Sequence, residues 1–512
     1  MNHGGDTPQH PPRVVITGAG WVTPLGHSVA QTWEALIAGR SGVGKITRFD
    51  AATFKTNFAA EVKGFTLADH VPEAIAREHH SAGLNAQFAL AAAKQALEQA
   101  GIDVQAPNAP GAAAHGASAA AHGASAAAHG ASAATHAASA AAHAPGAAAH
   151  AAAAATKAGN RPSINPRRFG LYLGSGEGSL DFPNYAHSHI AGWDDAARKV
   201  DGKKWAAAAM ATMSPIREIE QEANMTLSHV AWAFGCRGPA SNCLTACAAS
   251  IQAIGEAYEL LRRGDADVML AGGAHTMVHP LGVTGFIRLT ALSARSDDFA
   301  SVPRPFDATR DGFVMGEGAG IIVMETLEHA LGRGVRPENI LAEVRGYGSS
   351  ADAFRITDMH PQGEGPAAAM RSALAQAGID PRSVGPDGRP GVQWISAHGT
   401  GTKENDKIET AAIKSVFGEL APKIPISSIK SMLGHLIAAA GVSNVIASMM
   451  SIRTGLVPPT INLRTPDAGL DLDYVPNVVR DARATGGIDA CLCNAYGFGG
   501  QNDCVVIGRF VP

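Results

Sequence analysis

The chain has 512 residues, of which 46% are hydrophobic and 17% charged, with a net charge of -4. That length can bury a large core and permits two or three domains, and the charge balance gives no general reason to bind nucleic acid. No run of 18 apolar residues occurs, and the opening Met1-Asn2-His3-Gly4-Gly5-Asp6 lacks the basic and apolar regions of a secretory signal. The six cysteines read as reduced cytoplasmic thiols, not a disulfide framework.

The first element is a buried-strand pattern, Arg13-Val14-Val15-Ile16-Thr17-Gly18, followed by a Gly-rich turn and a helix over Ser28 to Ala38. An insert of low complexity then runs from about Pro107 to Ala158, with His115, His122, His129, His136, His143 and His150 at every seventh position. No Leu, Ile or Val forms a seam, so the heptad is no coiled coil, and a strict seven-residue spacing drifts by roughly 20° per repeat. Gly116, Gly123, Gly130 and Pro145 weaken a continuous helix, and the segment reads as a surface loop that buries too little to order itself. Strand-like Phe169-Gly170-Leu171-Tyr172-Leu173-Gly174 resumes the pattern, and Asp267 to Gly273 and Gly320 to Glu325 repeat it. Strands alternating with helices predict an α/β protein with buried sheets.

Cys247 opens a segment with Ile251, Ile254, Tyr258 and Leu261 three or four residues apart. This spacing predicts a helix with the thiol at its N-terminus, where free backbone N–H groups and the dipole favour thiolate. A thiolate is the nucleophile that takes an acyl group from a thioester. Cys243 reads as packing. His398 precedes Gly399-Thr400-Gly401-Thr402, a turn with two hydroxyls able to bind the amides of a pantetheine arm. Lys430 opens Lys430-Ser431-Met432-Leu433-Gly434-His435, and His435 leads into a small-residue helix from Leu436 to Met450. Cys491 and Cys493 read as small residues on a buried strand; with no clean Cys-x2-Cys pair, no metal is expected. The glycine-dense Asn494 to Gly500 reads equally as a hairpin turn or as a place where a backbone N–H approaches a ligand.

Together these residues resemble the β-ketoacyl-acyl carrier protein synthases, type II condensing enzymes of the elongation class. The likeness includes Val15 to Gly26, Gly238-Pro239 ahead of Thr245-Ala246-Cys247, Asp311 to Gly320, His398 to Thr402, Lys430 to His435 and Gly497 to Gly500. The resemblance implies a thiolase-like fold, with two βαβαβαββ halves in an α-β-α-β-α layered core. The halves would be 12–336, interrupted by the insert at 107–158, and 337–512, usually in a homodimer. It implies Cys247 as the acyl-accepting nucleophile, and His398 and His435 as the groups that polarise a malonyl thioester during loss of CO2. Lys430 would tune their hydrogen bonds, and the backbone N–H groups of Cys247 and Phe498 would form an oxyanion hole. Phe498 would also gate the acyl chain, and Thr400 and Thr402 would hold the phosphopantetheine arm of an acyl carrier protein. No redox cofactor or metal is implied. A CoA-dependent thiolase or a silent chain-length-factor-like partner are the alternative readings.

Three positions depart from the family pattern. Asn444 stands where the fatty-acid enzymes usually have a glutamate, so the Lys430 network is expected to be balanced differently. Glu177 falls where an apolar residue often lines the acyl pocket, so either Glu177 turns away or the substrate is shorter or more polar than an ordinary fatty acyl chain. The stretch Ala76 to Asn85 carries little positive charge for docking an acidic carrier protein, which leaves Arg288 and Arg295 as candidate contacts.

Overall fold

A computed structural model describes residues 11–103, 164–176, 178–295 and 298–512. The His-containing insert and Glu177 lie outside the described residues. Among those described, no helix is long and apolar enough to cross a membrane.

The first half contributes β1 (Val14–Val22), α1 (Leu84–Ala100), β2 (Phe169–Ser175), β3 (Ala240–Cys243), α2 (Ala249–Arg262), β4 (Val268–His275), α3 (Pro280–Arg288) and β5 (Gly318–Thr326). The second contributes β6 (Ala342–Ala351), α4 (Glu364–Gln376), β7 (Trp394–Ser396), α5 (Lys403–Phe417), β8 (Ile426–Ser427), α6 (Ala440–Thr454), β9 (Ala490–Gly497) and β10 (Gln501–Gly508). The ten strands run in the order β8-β7-β9-β10-β6-β1-β5-β4-β2-β3. Read outward from the middle, each set of five has the same order. In each set the second strand is parallel to the third and fourth, while the fourth and fifth are antiparallel. The sets meet along one short antiparallel edge, Val14–Ile16 against Ala342–Val344.

The layering follows from where apolar faces are buried. Helices α2 and α6 pack on each other and on strands of both sets, so they form a central layer. Ile251, Ile254 and Leu261 on α2 are fully buried there, and burial of each is worth about 1.5–3 kcal/mol. Helix α1 covers the outer face of the first set, and α4 with α5 that of the second. The layers are therefore α-β-α-β-α, as the sequence led us to expect.

Repetition reaches single residues. A Cβ on Gly18 or Gly20 would lie 2.0 or 1.9 Å from the Ala96 or Ala92 carbonyl oxygen of α1. In the other half, one on Gly346 or Gly348 would lie 2.2 Å from the Ala373 or Ala369 oxygen of α4. Alternate glycines on the first strand of each set let a helix backbone press directly against it.

Candidate active site

Both central helices begin the same way. A 3-10 turn, Ala246–Ala248, leads into α2, and another, Ile437–Ala439, leads into α6. Each turn starts on a non-glycine residue held at positive φ, Ala246 at 47° and Ile437 at 46°. Strain of this kind persists only where the surrounding packing fixes it. Cys247 occupies the first turn, and Ala438 stands at the matching position of the second. The regular helix thus begins two residues after the thiol, and that of the second half at Ala440, not Leu436.

The histidines come from loops at the ends of second-half strands. His398 follows β7, and its turn is held by α5: the N–H groups of His398 and Gly399 each donate to a Glu409 carboxylate oxygen at 2.8 Å. Asn494 on β9 donates to the same carboxylate at 3.0 Å. Thr402 caps α5 by accepting from the Asn405 N–H, and its hydroxyl lies 3.1 Å from that of Thr400. His435 is fixed through its backbone, which donates to the Val314 carbonyl and accepts from the Gly316 N–H. Phe313 packs edge-on against its ring at 5.1 Å.

These loops converge. His435 Nε2 lies 3.0 Å from Cys247 Sγ, and one ligand-type atom from each of Cys247, His398 and His435 lies within 4.8 Å of the others. The Ile437 N–H donates to His435 Nδ1 at 3.2 Å, so a neutral ring carries its proton on Nε2, facing the sulfur. Lys430 stands behind the pair and donates from Nζ to the His398 carbonyl at 2.6 Å.

Burial dominates the electrostatics. It holds both imidazoles well below their usual value, and the Lys430 charge adds to the effect, so both are neutral hydrogen-bond donors. Lys430 itself is lowered to about 8 by burial, against the pull of Glu409, Cys247 and Asp406. The Cys247 thiol is pushed up to about 12 by burial, opposed by the Lys430 charge and by hydrogen bonds from the N–H groups of Cys247 and Phe498. The sequence led us to expect a thiolate favoured by a helix terminus. The N–H groups are in position, but desolvation outweighs them, so the sulfur rests as a thiol and its charge develops as it reacts.

Cys247, His398, His435, Thr400, Thr402 and Phe498 all line one cavity of about 380 Å³. Phe498 sits at its mouth, 38% exposed. Its ring stacks at 6.5 Å on Phe286, which lines a second, more apolar cavity of about 500 Å³ with Met277, Leu281 and Leu289. Leu289 belongs to both walls. The segment Asn494 to Gly500 satisfies both readings of its glycines: it is the hairpin between β9 and β10, and it brings the Phe498 N–H to the sulfur.

Asn444 makes no hydrogen bond to Lys430 and brings it no negative charge. Its Nδ2 donates to the Ser396, Ala397 and Asn494 carbonyls at 3.4, 3.2 and 3.1 Å. Cys243 is buried packing, its Sγ 3.1 Å from the Ala249 carbonyl, and Cys491 and Cys493 are buried on β9. Arg288 is exposed in the last turn of α3, and Arg295 is half-buried. In the Ala76 to Asn85 stretch, His79 is buried with its Nδ1 2.7 Å from that of His229. Sequence reasoning missed Glu409, Phe313 and Tyr496, which pack around the histidines. For Glu409 the available signal was its spacing from Asp406, one turn earlier on a helix face shared with apolar Ala412 and Ile413.

Residues 12–155 and 147–330 match the family described as "Beta-ketoacyl synthase, N-terminal domain", and 341–464 match "Beta-ketoacyl synthase, C-terminal domain". The 3-oxoacyl-[acyl-carrier-protein] synthase 2 of Coxiella burnetii is 36% identical over 497 residues, 97% of this chain and 98% of that protein. Among solved structures, the ishigamide ketosynthase/chain length factor superposes with a TM-score of 0.73 at 31% identity, covering 98% of this chain and 100% of that one. A type II polyketide synthase acyl-carrier protein in complex with its ketosynthase bound to the hexaketide gives 0.72 at 30%, with the same coverage.

Proposed function

The chain belongs to the β-ketoacyl synthase family, and we propose that it is a β-ketoacyl-acyl carrier protein synthase that extends a Cys247-bound acyl group by two carbons. The observation that carries this reading is the meeting of the Cys247 sulfur with two neutral imidazoles in one buried cavity, with Lys430 behind them.

In the first half-reaction Cys247 Sγ attacks the thioester carbonyl of an acyl carrier protein. The developing oxyanion accepts from the Cys247 and Phe498 N–H groups, and the carrier's sulfur leaves as a thiol with the proton lost by Cys247. In the second, the malonyl thioester carbonyl accepts hydrogen bonds from the histidines, His435 through Nε2–H. The bond to the carboxylate breaks, CO2 leaves, and its electron pair becomes an enolate stabilised by those donors and the Lys430 charge. The enolate carbon attacks the Cys247 thioester, the C–S bond breaks, and the 3-oxoacyl-carrier product departs while the sulfur takes up one proton from water. These steps balance without a redox partner or metal.

Thr400 and Thr402, on the cavity wall, would hold the phosphopantetheine arm, and Phe498 would gate the acyl chain. The repeated strand order supports halves at 12–336 and 337–512, so that the nucleophile comes from one and both histidines from the other. We further propose a homodimer, supported by the exposed apolar side chains Ile190, Met210, Ile216 and Ile219. Retention of Cys247, His398, His435 and Lys430 argues against a silent partner. Reconstitution tests the reading: acyl- and malonyl-carrier protein together should yield 3-oxoacyl-carrier protein and CO2 in equal amounts. Release of free acid with no 3-oxoacyl product would overturn it.

A further inference from the structure

Arg310 is 2% exposed and directly precedes Asp311 and Gly312, which line the 380 Å³ cavity. Its Nε donates to the Thr402 carbonyl at 3.1 Å and lies 3.2 Å from the Asp406 carboxylate. Nη2 donates to the Lys403 carbonyl at 3.0 Å, and Nη1 to the Asp307 carbonyl and the Asp467 carboxylate at 3.0 and 2.7 Å. Thr402, Lys403 and Asp406 all belong to the start of α5, in the other half of the chain. Further bonds join the same two segments. The Gly312 N–H donates to the Gly401 carbonyl at 3.2 Å, the Phe306 N–H to Asp406 at 2.7 Å, and Lys403 Nζ to the Ala308 carbonyl at 2.8 Å. Residues 306–312 are thereby laced to 401–406 beside the cavity. The turn that carries the threonines needs such an anchor. Thr400 stands between two glycines at positive φ, Gly399 at 41° and Gly401 at 84°, a backbone with few intrinsic restraints. Glu409 fixes its His398 end. Arg310 fixes the Thr402 end, together with Asp406, which accepts from the Gly401 N–H at 3.1 Å. A buried guanidinium is costly to desolvate, and apolar side chains of similar volume often stabilise a fold as well. What they lack is a rigid planar fork that holds two carbonyls and a carboxylate at once.

We propose that Arg310 is a positioning residue for the pantetheine arm: from the first half it fixes the Thr402 end of the turn, and so aims the Thr400 and Thr402 hydroxyls at the amides of an incoming thioester. This rests on the reading above that the two threonines hold that arm, and it adds the side chain that sets them in place. Arg310 does not itself line the cavity, so it acts through the turn. Its effect is confined to donors that carry an amide, because the sulfur and the histidines are held by other elements.

Two donors of the same acyl group test this. Acyl-pantetheine carries the amides of the arm and the simple ethyl thioester carries none; intact mass follows loading of Cys247 in the full-length protein. Arg310→Lys keeps a positive charge beside Asp406 and Asp467 but loses the fork. The acyl-pantetheine concentration for half-maximal loading should rise about five- to tenfold, the worth of one hydrogen bond, with the maximal rate held. Loading by the ethyl thioester should stay at the native rate, whereas a general loosening of the fold would slow both donors alike. If Arg310→Lys does not fold, Asp467→Asn decides: it weakens only the anchor on Nη1 and should give about a twofold rise, again with acyl-pantetheine alone. An unchanged half-saturation, or equal losses with both donors, overturns the assignment of Arg310 while leaving acyl transfer intact. An unchanged half-saturation in Thr400→Ala as well removes the reading of the threonines, and this assignment with it. No adduct from either donor on the native protein removes the acyl-transfer reading itself.

Discussion

Asn444→Asp exchanges one nitrogen for one oxygen in a side chain that is 1% exposed. In the native protein Nδ2 faces the Ser396, Ala397 and Asn494 carbonyls and ties the end of β7, just before His398, to β9. An ionised carboxylate there donates nothing and sets its charge against three carbonyl oxygens. Two good hydrogen bonds, at 3.2 and 3.1 Å, are lost at about 1 kcal/mol each, and the unpaired buried charge adds to this. The expected loss is about 3–5 kcal/mol at pH 8. Protonation restores one O–H donor, so the folded protein raises the pKa of this carboxyl above its unfolded value. The variant is then least impaired below the ordinary aspartate range, and its deficit grows as pH rises through the raised value. Urea unfolding of both proteins at pH 5 and pH 8 measures this. Wild-type stability at pH 8, or a gain there through pairing with Lys430, would refute the assignment of Asn444 as a donor to the three carbonyls.

Lys430, lowered to about 8 by burial, has a folded pKa below its unfolded one, so its charge costs stability below about pH 8 and the cost vanishes as pH climbs toward 10.5. Lys430→Met should therefore be the more stable protein at pH 7, with the gap closing at alkaline pH, which thermal unfolding across that range will show. The same charge supports the enolate, so malonyl decarboxylation should fall above about pH 8 in the native enzyme, and Lys430→Met should be slow throughout with no such fall. Thr402→Ala removes the cap of α5 and should lower stability by about 1 kcal/mol. Thr400→Ala leaves that cap in place, so its effect should appear as a raised KM for carrier-bound substrates. Unfolding midpoints and steady-state kinetics on the two variants separate these roles.

Cys247, His398, Lys430 and His435 were legible because each sits in a short glycine- or small-residue motif whose order along the chain is itself informative. The alternation of strand and helix likewise gave the layered fold. Glu409 was not legible: a glutamate on a polar-looking helix normally faces solvent, and only the packing of α5 under the His398 turn buries it. The protonation state of Cys247 was misjudged for a related reason. Local sequence reports a nearby helix terminus, but the opposing desolvation comes from elements far along the chain, including Ile437 and Phe313. Asn444 announced the missing carboxylate without its direction, because three carbonyls from two strands decide where an amide turns.

The central claim is that one sulfur and two neutral imidazoles divide the work of acyl transfer and decarboxylation. Intact-mass analysis of the native protein, Cys247→Ala, His398→Ala and His435→Ala, after acyl- and then malonyl-carrier protein, tests it in a single series. The acyl adduct should be absent only in Cys247→Ala, and the two histidine variants should stay loaded when malonyl-carrier protein is added. An adduct on Cys247→Ala, or discharge of the loaded histidine variants at the native rate, would contradict the account.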